Sequence, residues 1–356
     1  MKVVSVVGAR PQFVKLAPVH QAALAAGIDH VIVHTGQHYD PMLSDVFFED
    51  LDIGAPDVHL GVGSGSHGVQ TGAMLGALDA VFDAQQPDWV LVYGDTNSTV
   101  AAALSAVKMH LPVAHLEAGL RSFNRRMPEE HNRVLTDHAA DLLLAPTQVA
   151  ADHLAKEGLS DRTVLVGDVM TDVLFTVRDK VAGAPSPLVS ELGLDAGEYY
   201  VATIHRAENT DDPARLAEVV RALAGLDRPV VLLAHPRIVA KAASHGLSLN
   251  QGALIAHAPL AYLELIVSIL ESAGVVTDSG GLQKEAFLLR VPCTTVRTET
   301  EWVETVQSGW NVLADAPSDI VRAVARPQPA PTLLAPYGDG KAAERVIRAL
   351  LDARRG

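Results

Sequence analysis

The chain has 356 residues, long enough for two domains that each bury a core of their own. A formal net charge of -14 argues against a general nucleic-acid binder, because phosphate backbones reward a basic face. One cysteine, Cys293, excludes an internal disulfide and a cysteine metal cluster.

Hydrophobic residues make up 48% of the chain and aromatics only 4%, a mix that suits helices packed on a parallel sheet. The N-terminal run MKVVSVVGARPQ is too short for a secretory signal, and no stretch reaches the roughly 18 apolar residues of a membrane helix. A cytoplasmic protein with no membrane partner is expected.

KVVSVV (2–7) reads as the first strand, and GARPQFVK (8–15) as the turn and helix after it. This is not the GxGxxG dinucleotide fingerprint, so a nicotinamide cofactor loses its usual support. Gly8 permits the turn, Pro11 suits the helix start, and Arg10 and Lys15 are placed to face an anion there. HVIVH (30–34) is the second strand. In HTGQHYD (34–40), His34 and His38 have no third partner at ligand spacing, so no metal site is expected.

WVLVY (89–93) is followed by YGDTNST, with Asp95 at the strand end either as an acid or as a helix cap. VAHL (113–116) leads to Glu117, a glycine-containing loop and a helical PEEHNRVLTDH, with Glu129 near its start and Arg133 one turn on. The strand series pauses between about residues 170 and 197, where Gly, Pro and charge come together.

Strands restart with YYVATIH (199–205), which ends on His205 before Arg206. The helical PARLAEVVRALAGL and the strand PVVLLAH follow, the latter ending on His235. AGVVTD (273–278) runs into TDSGGLQKEA. There Ser279, Gly280 and Gly281 open a helix suited to phosphate, and Glu285 lies in reach of a ribose hydroxyl. PCTTV (292–296) holds Cys293, a buried core thiol or a nucleophile.

Strand–helix alternation with continuous apolar strands predicts two doubly wound α/β domains, 1–169 and 170–340. The C-terminal helix 341–356 is expected to pack back on the first. Ligands of such sheets bind beyond the carboxyl ends of the strands, which is where the polar residues named above are concentrated. HLEAGLRSFNRRMPEEHNR (115–133) then has two readings: a structural ion-pair network, or an acid/base set of Asp95, Glu117 and Glu129 facing arginines and a histidine.

Seven segments in order resemble the non-hydrolysing UDP-N-acetylglucosamine 2-epimerases: GARPQFVKLAPV, HTGQHYD, YGDTNST, HLEAGLRSFNRRMPEEHNR, TIHRAEN, TDSGGLQKEA and PYGDGKA. The resemblance implies the GT-B class, two Rossmann-like domains with a UDP-sugar in the cleft between them, and a homodimer. It implies interconversion of UDP-GlcNAc and UDP-ManNAc without nicotinamide or metal, by loss of UDP to a 2-acetamidoglucal and re-addition. By motif, Asp95, Glu117, Glu129 and His205 match the catalytic positions. Arg10, Lys15, Arg133, Arg206, His235, Ser279, Gly280, Gly281 and Glu285 match substrate-binding positions. Gln37 and His38 match a segment that binds an activating second UDP-GlcNAc in some members.

Two departures, GARPQFVK for the common GTRPEAIK and TEWVE for TERPE, resemble a branch acting on UDP-2,3-diacetamido-glucuronate. In the second, Trp302 stands where the family usually has an arginine, with Arg297 nearby to compensate. Where activated members carry an Arg-Gln pair, this chain has GVGSGSHG. Competing classes are a GT-B glycosyltransferase, which would need one base and an acceptor groove, and a non-catalytic UDP-sugar sensor.

Overall fold

The computed structural model describes residues 1–37 and 54–353. Contacts divide it into two units, Met1–Phe175 with Ala335–Gly356, and Thr176–Leu334. His38 lies outside the described residues.

The first unit holds a seven-stranded, wholly parallel sheet in the order β3-β2-β1-β4-β5-β6-β7. Its strands are β1 (Lys2–Val7), β2 (Asp29–His34), β3 (Val58–His59), β4 (Trp89–Tyr93), β5 (Val113–Leu116), β6 (Leu142–Ala145) and β7 (Thr163–Leu165). Successive side chains of a strand point to opposite faces, so an apolar run supplies two cores. Val3 and Val7 of β1 pack with Phe13 and Leu16 of α1 (Arg10–Ala25). Val4 and Val6 pack on the other face with Met74, Leu78 and Phe82 of α2 (His67–Gln85) and the alanines of α3 (Asn97–Lys108).

The remaining helices of this unit are α4 (Pro128–Ala139), α5 (Gln148–Lys156), α6 (Val169–Lys180), in which the division between units falls, and the C-terminal α15 (Ala342–Ala353). Val346, Ile347 and Leu350 of α15 complete the α1 core, and Asp172 accepts hydrogen bonds from its first N–H groups, Ala342 at 3.0 Å and Ala343 at 2.7 Å.

The second unit repeats the plan with six parallel strands in the order β10-β9-β8-β11-β12-β13. They are β8 (Tyr200–Thr203), β9 (Val230–Leu233), β10 (Leu254–His257), β11 (Gly274–Thr277), β12 (Cys293–Thr295) and β13 (Asn311–Leu313). Between them run α7 (Pro187–Leu192), α8 (Ala207–Thr210), α9 (Pro213–Ala224), α10 (Pro236–Ser244), α11 (Tyr262–Leu270), α12 (Gly280–Leu288), α13 (Val303–Gln307) and α14 (Asp319–Val324). Both units are thus the Rossmann-like parallel sheets expected. In each, winding reverses beside the central strand, between β1 and β4 and between β8 and β11. No described helix is long and apolar enough to cross a membrane.

Beneath the first sheet's carboxyl end lies a buried charge network. Asp137 of α4, fully buried, accepts from Gly119 N at 3.1 Å, pairs with Arg121 at 2.7 Å and meets the His115 ring at 2.7 Å. The other nitrogen of His115 faces the Gly94 carbonyl at 2.7 Å. Burial alone would raise the Asp137 carboxyl, but His115 and Arg121 outweigh it and hold it below its ordinary value. Removing one partner of such a buried network costs about 3–5 kcal/mol. Urea unfolding of Asp137→Asn at pH 7 should show that loss. Because the folded value is depressed, the wild-type contribution is complete above about pH 4 and vanishes as pH falls through the folded value. The variant should therefore lose less stability than wild type on acidification.

Candidate active site

The β1–α1 turn of the first unit is held by Gln12, whose Oε1 accepts from Gly8 N (2.8 Å) and Ala9 N (3.0 Å). Its amide donates to Tyr93 O at 2.7 Å and Thr99 Oγ1 at 3.1 Å, tying the end of β1 to the end of β4. Gly8 has an ordinary negative-φ backbone, so its value is space rather than turn freedom: a Cβ there would collide with Thr35 Oγ1 and Ser98 Oγ. Pro11 lies in the first turn of α1, as read from the sequence. Arg10 opens the helix, and its side chain lies outside what the structure describes.

Lys15, one turn further along, forms an ion pair with Glu117 at the end of β5. Burial works to lower the Lys15 ammonium, yet the Glu117 carboxylate outweighs it and the net shift is upward. Glu117 has φ +67°, a left-handed backbone that costs a non-glycine residue about 1–3 kcal/mol and persists only where the surroundings enforce it. Gly94 makes room for the pair: a Cβ there would lie 3.2 Å from Glu117 Oε2 and 3.6 Å from Lys15 Nζ.

Asp95, the next residue, does not cap α3; Thr96 does, accepting from Thr99 N. The Asp95 carboxylate is instead gripped by Arg133 of α4, through Nε at 3.0 Å and Nη2 at 2.6 Å.

The opening turn of α4 separates two neighbouring acids. Glu130 turns inward and accepts from Ser122 N and Oγ, Phe123 N and Arg133 Nη1, at 2.8 to 2.9 Å. Burial opposes its charge, but these donors prevail and hold the carboxyl below its ordinary value. Glu129 is half-buried and has no hydrogen-bond or ion-pair partner among the described residues. Ion pairing in the 115–133 stretch therefore takes up some of its acids and not others. Asp137, Arg121 and Glu157 form one ion-pair network and Glu130, Arg133 and Asp95 a second, while Glu129 stays outside both.

Gln37 Oε1 accepts from Ser98 N (3.0 Å) and Ser98 Oγ (2.7 Å), so its amide is engaged at the start of α3. His34 stacks between Phe13 (centroids 5.0 Å) and His59 (4.6 Å), a packing role. Among the described residues no cluster of three His, Cys, Asp or Glu is placed to hold a metal.

In the second unit Asp278, fully buried at the end of β11, organises the site. It accepts from the backbone N–H of His205 and of Arg206 (2.9 Å) and from Asn209 Nδ2 (3.0 Å), and lies 3.4 Å from His205 Nδ1. His205 and His235, which follow different strands, are brought together with ring centroids 5.8 Å apart. Ser279 caps α12, accepting from Leu282 N at 3.4 Å. The N–H groups of Gly280 and Gly281 in that first turn have no helical carbonyl to meet.

Glu285 accepts from the Tyr262 hydroxyl at 2.9 Å and is pushed upward by burial. Trp302 takes a packing role, its ring 4.4 Å from the Lys284 ammonium. Cys293 is an inert core thiol: burial pushes it up to about 12. Sequence reasoning missed Gln12, Glu130 and Asp278. Of these only Asp278 carried a signal, as the polar residue directly after an apolar strand.

Gly8→Ala tests the packing at the first turn. Overpacking so close a contact costs about 1–3 kcal/mol, and a lowered melting temperature is expected.

A family model described as UDP-N-acetylglucosamine 2-epimerase matches residues 21–351. The UDP-2,3-diacetamido-2,3-dideoxy-D-glucuronate 2-epimerase of Pseudomonas aeruginosa is 46% identical over 360 residues, covering 98% of this chain and 99% of that protein. The UDP-N-acetylglucosamine 2-epimerase of Methanocaldococcus jannaschii is 38% identical over 364 residues, with 98% and 99% covered. A solved structure of UDP-GlcNAc 2-epimerase from that organism superposes with a TM-score of 0.87 at 36% identity, over 99% of this chain and 100% of that one. A second, in complex with UDP-GlcNAc and UDP, gives 0.80 at 37%, with the same coverage. The chain belongs to the UDP-N-acetylglucosamine 2-epimerase family, and it is an isomerase of the Rossmann-like α/β class.

Proposed function

We propose that the chain interconverts UDP-GlcNAc and UDP-ManNAc at sugar C2 by elimination and re-addition of UDP. The observation that carries this reading is the pairing of Asp95 with Arg133 and of Glu117 with Lys15 at adjacent strand ends, with Glu129 near the start of α4 unpartnered among the described residues. A single acid would serve a transferase. Inverting a centre through an alkene needs proton carriers for two faces, and this set offers them.

The C2 proton is not beside a carbonyl, so direct abstraction would leave a poorly stabilised carbanion. In the proposed step a carboxylate takes that proton, the C–H electron pair forms the C1=C2 bond, and the C1–O pair departs with UDP. Re-addition reverses the flow while an acid delivers a proton to the opposite face of C2. In the second unit, His205 and Arg206 meet the charge developing on the departing diphosphate. Ser279, Gly280 and Gly281 hold the phosphates, Glu285 accepts a ribose hydroxyl, and His235 completes the nucleotide contacts. Arg10, Lys15 and Arg133 supply positive charge on the first unit.

A second substrate reading, UDP-2,3-diacetamido-2,3-dideoxyglucuronate, is supported by the 46% identity to the Pseudomonas aeruginosa enzyme and by the TEWVE segment. A homodimer and a cytoplasmic location complete the proposal. Light scattering of the purified protein would check the first.

Proton NMR with UDP-GlcNAc in deuterated water and no added cofactor should show loss of the C2 proton signal as UDP-ManNAc appears. Silence there, with turnover of the diacetamido-uronate, would select the second substrate. Asp95→Asn, Glu117→Gln and Glu129→Gln should each lower turnover by about 10²–10⁴-fold, while calorimetry still detects UDP binding. Full activity in all three variants would overturn the assignment of the acids.

A further inference from the structure

The first turn of α12, proposed above to hold the nucleotide's phosphates, has an acid of the chain itself seated against it. A Cβ built on Gly280 would collide with Glu301 Oε1, and Arg206 Nη2 lies 3.9 Å from the same point. The other oxygen of Glu301 accepts from Arg297 Nη1 at 2.9 Å. The Arg297 side chain is only 10% exposed, against 48% for Glu301, and this is the single hydrogen bond it makes among the described residues. A guanidinium carries five N–H donors, so Arg297 has donors to offer a second acceptor. Trp302, the residue after Glu301, is turned to Lys284, so the positive charge left at the turn comes from Arg206 and Arg297.

We propose that Glu301 is a resident stand-in for the diphosphate: its carboxylate lies against Gly280, keeps Arg297 in place, and is displaced when a nucleoside diphosphate enters. Arg297 then exchanges one carboxylate oxygen for the several oxygens of a phosphate group, which matches a planar fork far better. The exchange gives the site a means of discrimination. A ligand without the diphosphate gains nothing from Arg297 and leaves Glu301 where it is. This inference rests on the nucleotide reading of the α12 turn given above.

The test is calorimetric titration of the full chain with UDP and with uridine. Glu301→Gln removes the competing charge and the repulsion it exerts on phosphate, so UDP should bind roughly three- to fivefold tighter, the scale of one screened charge pair. Uridine affinity should not change. Arg297→Gln should weaken UDP by roughly tenfold or more, as expected for hydrogen bonds to a charged group. UDP bound equally or more weakly by Glu301→Gln would overturn the proposal and leave the nucleotide reading standing, and so would an equal gain for uridine. Absence of UDP binding by both wild type and variant would overturn both.

Discussion

The reversal of winding in each parallel sheet is the constraint on which the chemistry depends. Where the connection after β1 goes one way and that after β4 the other, two strand ends lie side by side with no crossover covering them. The same happens at β8 and β11. Residues at these ends sit on rigid, doubly buried strands, yet their side chains are free of the sheet. Lys15, Asp95 and Glu117 follow the first reversal, and His205, Arg206 and Ser279 the second.

The charges around these ends are sorted by burial and partner count. Asp137, Glu130 and Asp278 are buried and collect three or more donors each, which fixes the loops beside the half-buried acids. Asp95 and Glu117 each meet a single cation, and Glu129 meets none among the described residues. A carboxylate saturated with donors is a poor base, whereas one with a single movable partner can exchange a proton. The left-handed Glu117 fits this division: its backbone strain is sustained by the network behind it, where His115 joins the Gly94 carbonyl to Asp137.

Much of the fold was legible because parallel strands buried on both faces must be apolar throughout. The eight strands read from the sequence all recur, among them KVVSVV, WVLVY and VAHL. The five that were not read, β3, β6, β7, β10 and β13, are short, and most lie at or near sheet edges. LLLA of β6 has no β-branched residue to separate it from a helix, and β3 has two residues. Their strand character comes from a neighbour's open edge rather than from their own composition.

Composition and motif order by themselves determined the class of the protein: two wound parallel sheets, acids and histidines at strand ends, a glycine-rich turn before a helix, and the family to which these belong. Those features are local, written within a few residues of an apolar run. Only the tertiary structure decided which carboxylate is tied into a hydrogen-bond network and which is not, since Glu129 and Glu130 are adjacent and identical in type. The same holds for Gly8 serving space instead of rotation, and for the carboxylate of Glu301 lying at Gly280, some twenty residues away in sequence. Each is set by contacts between segments far apart in the chain, and such contacts exist only once the sheets have formed.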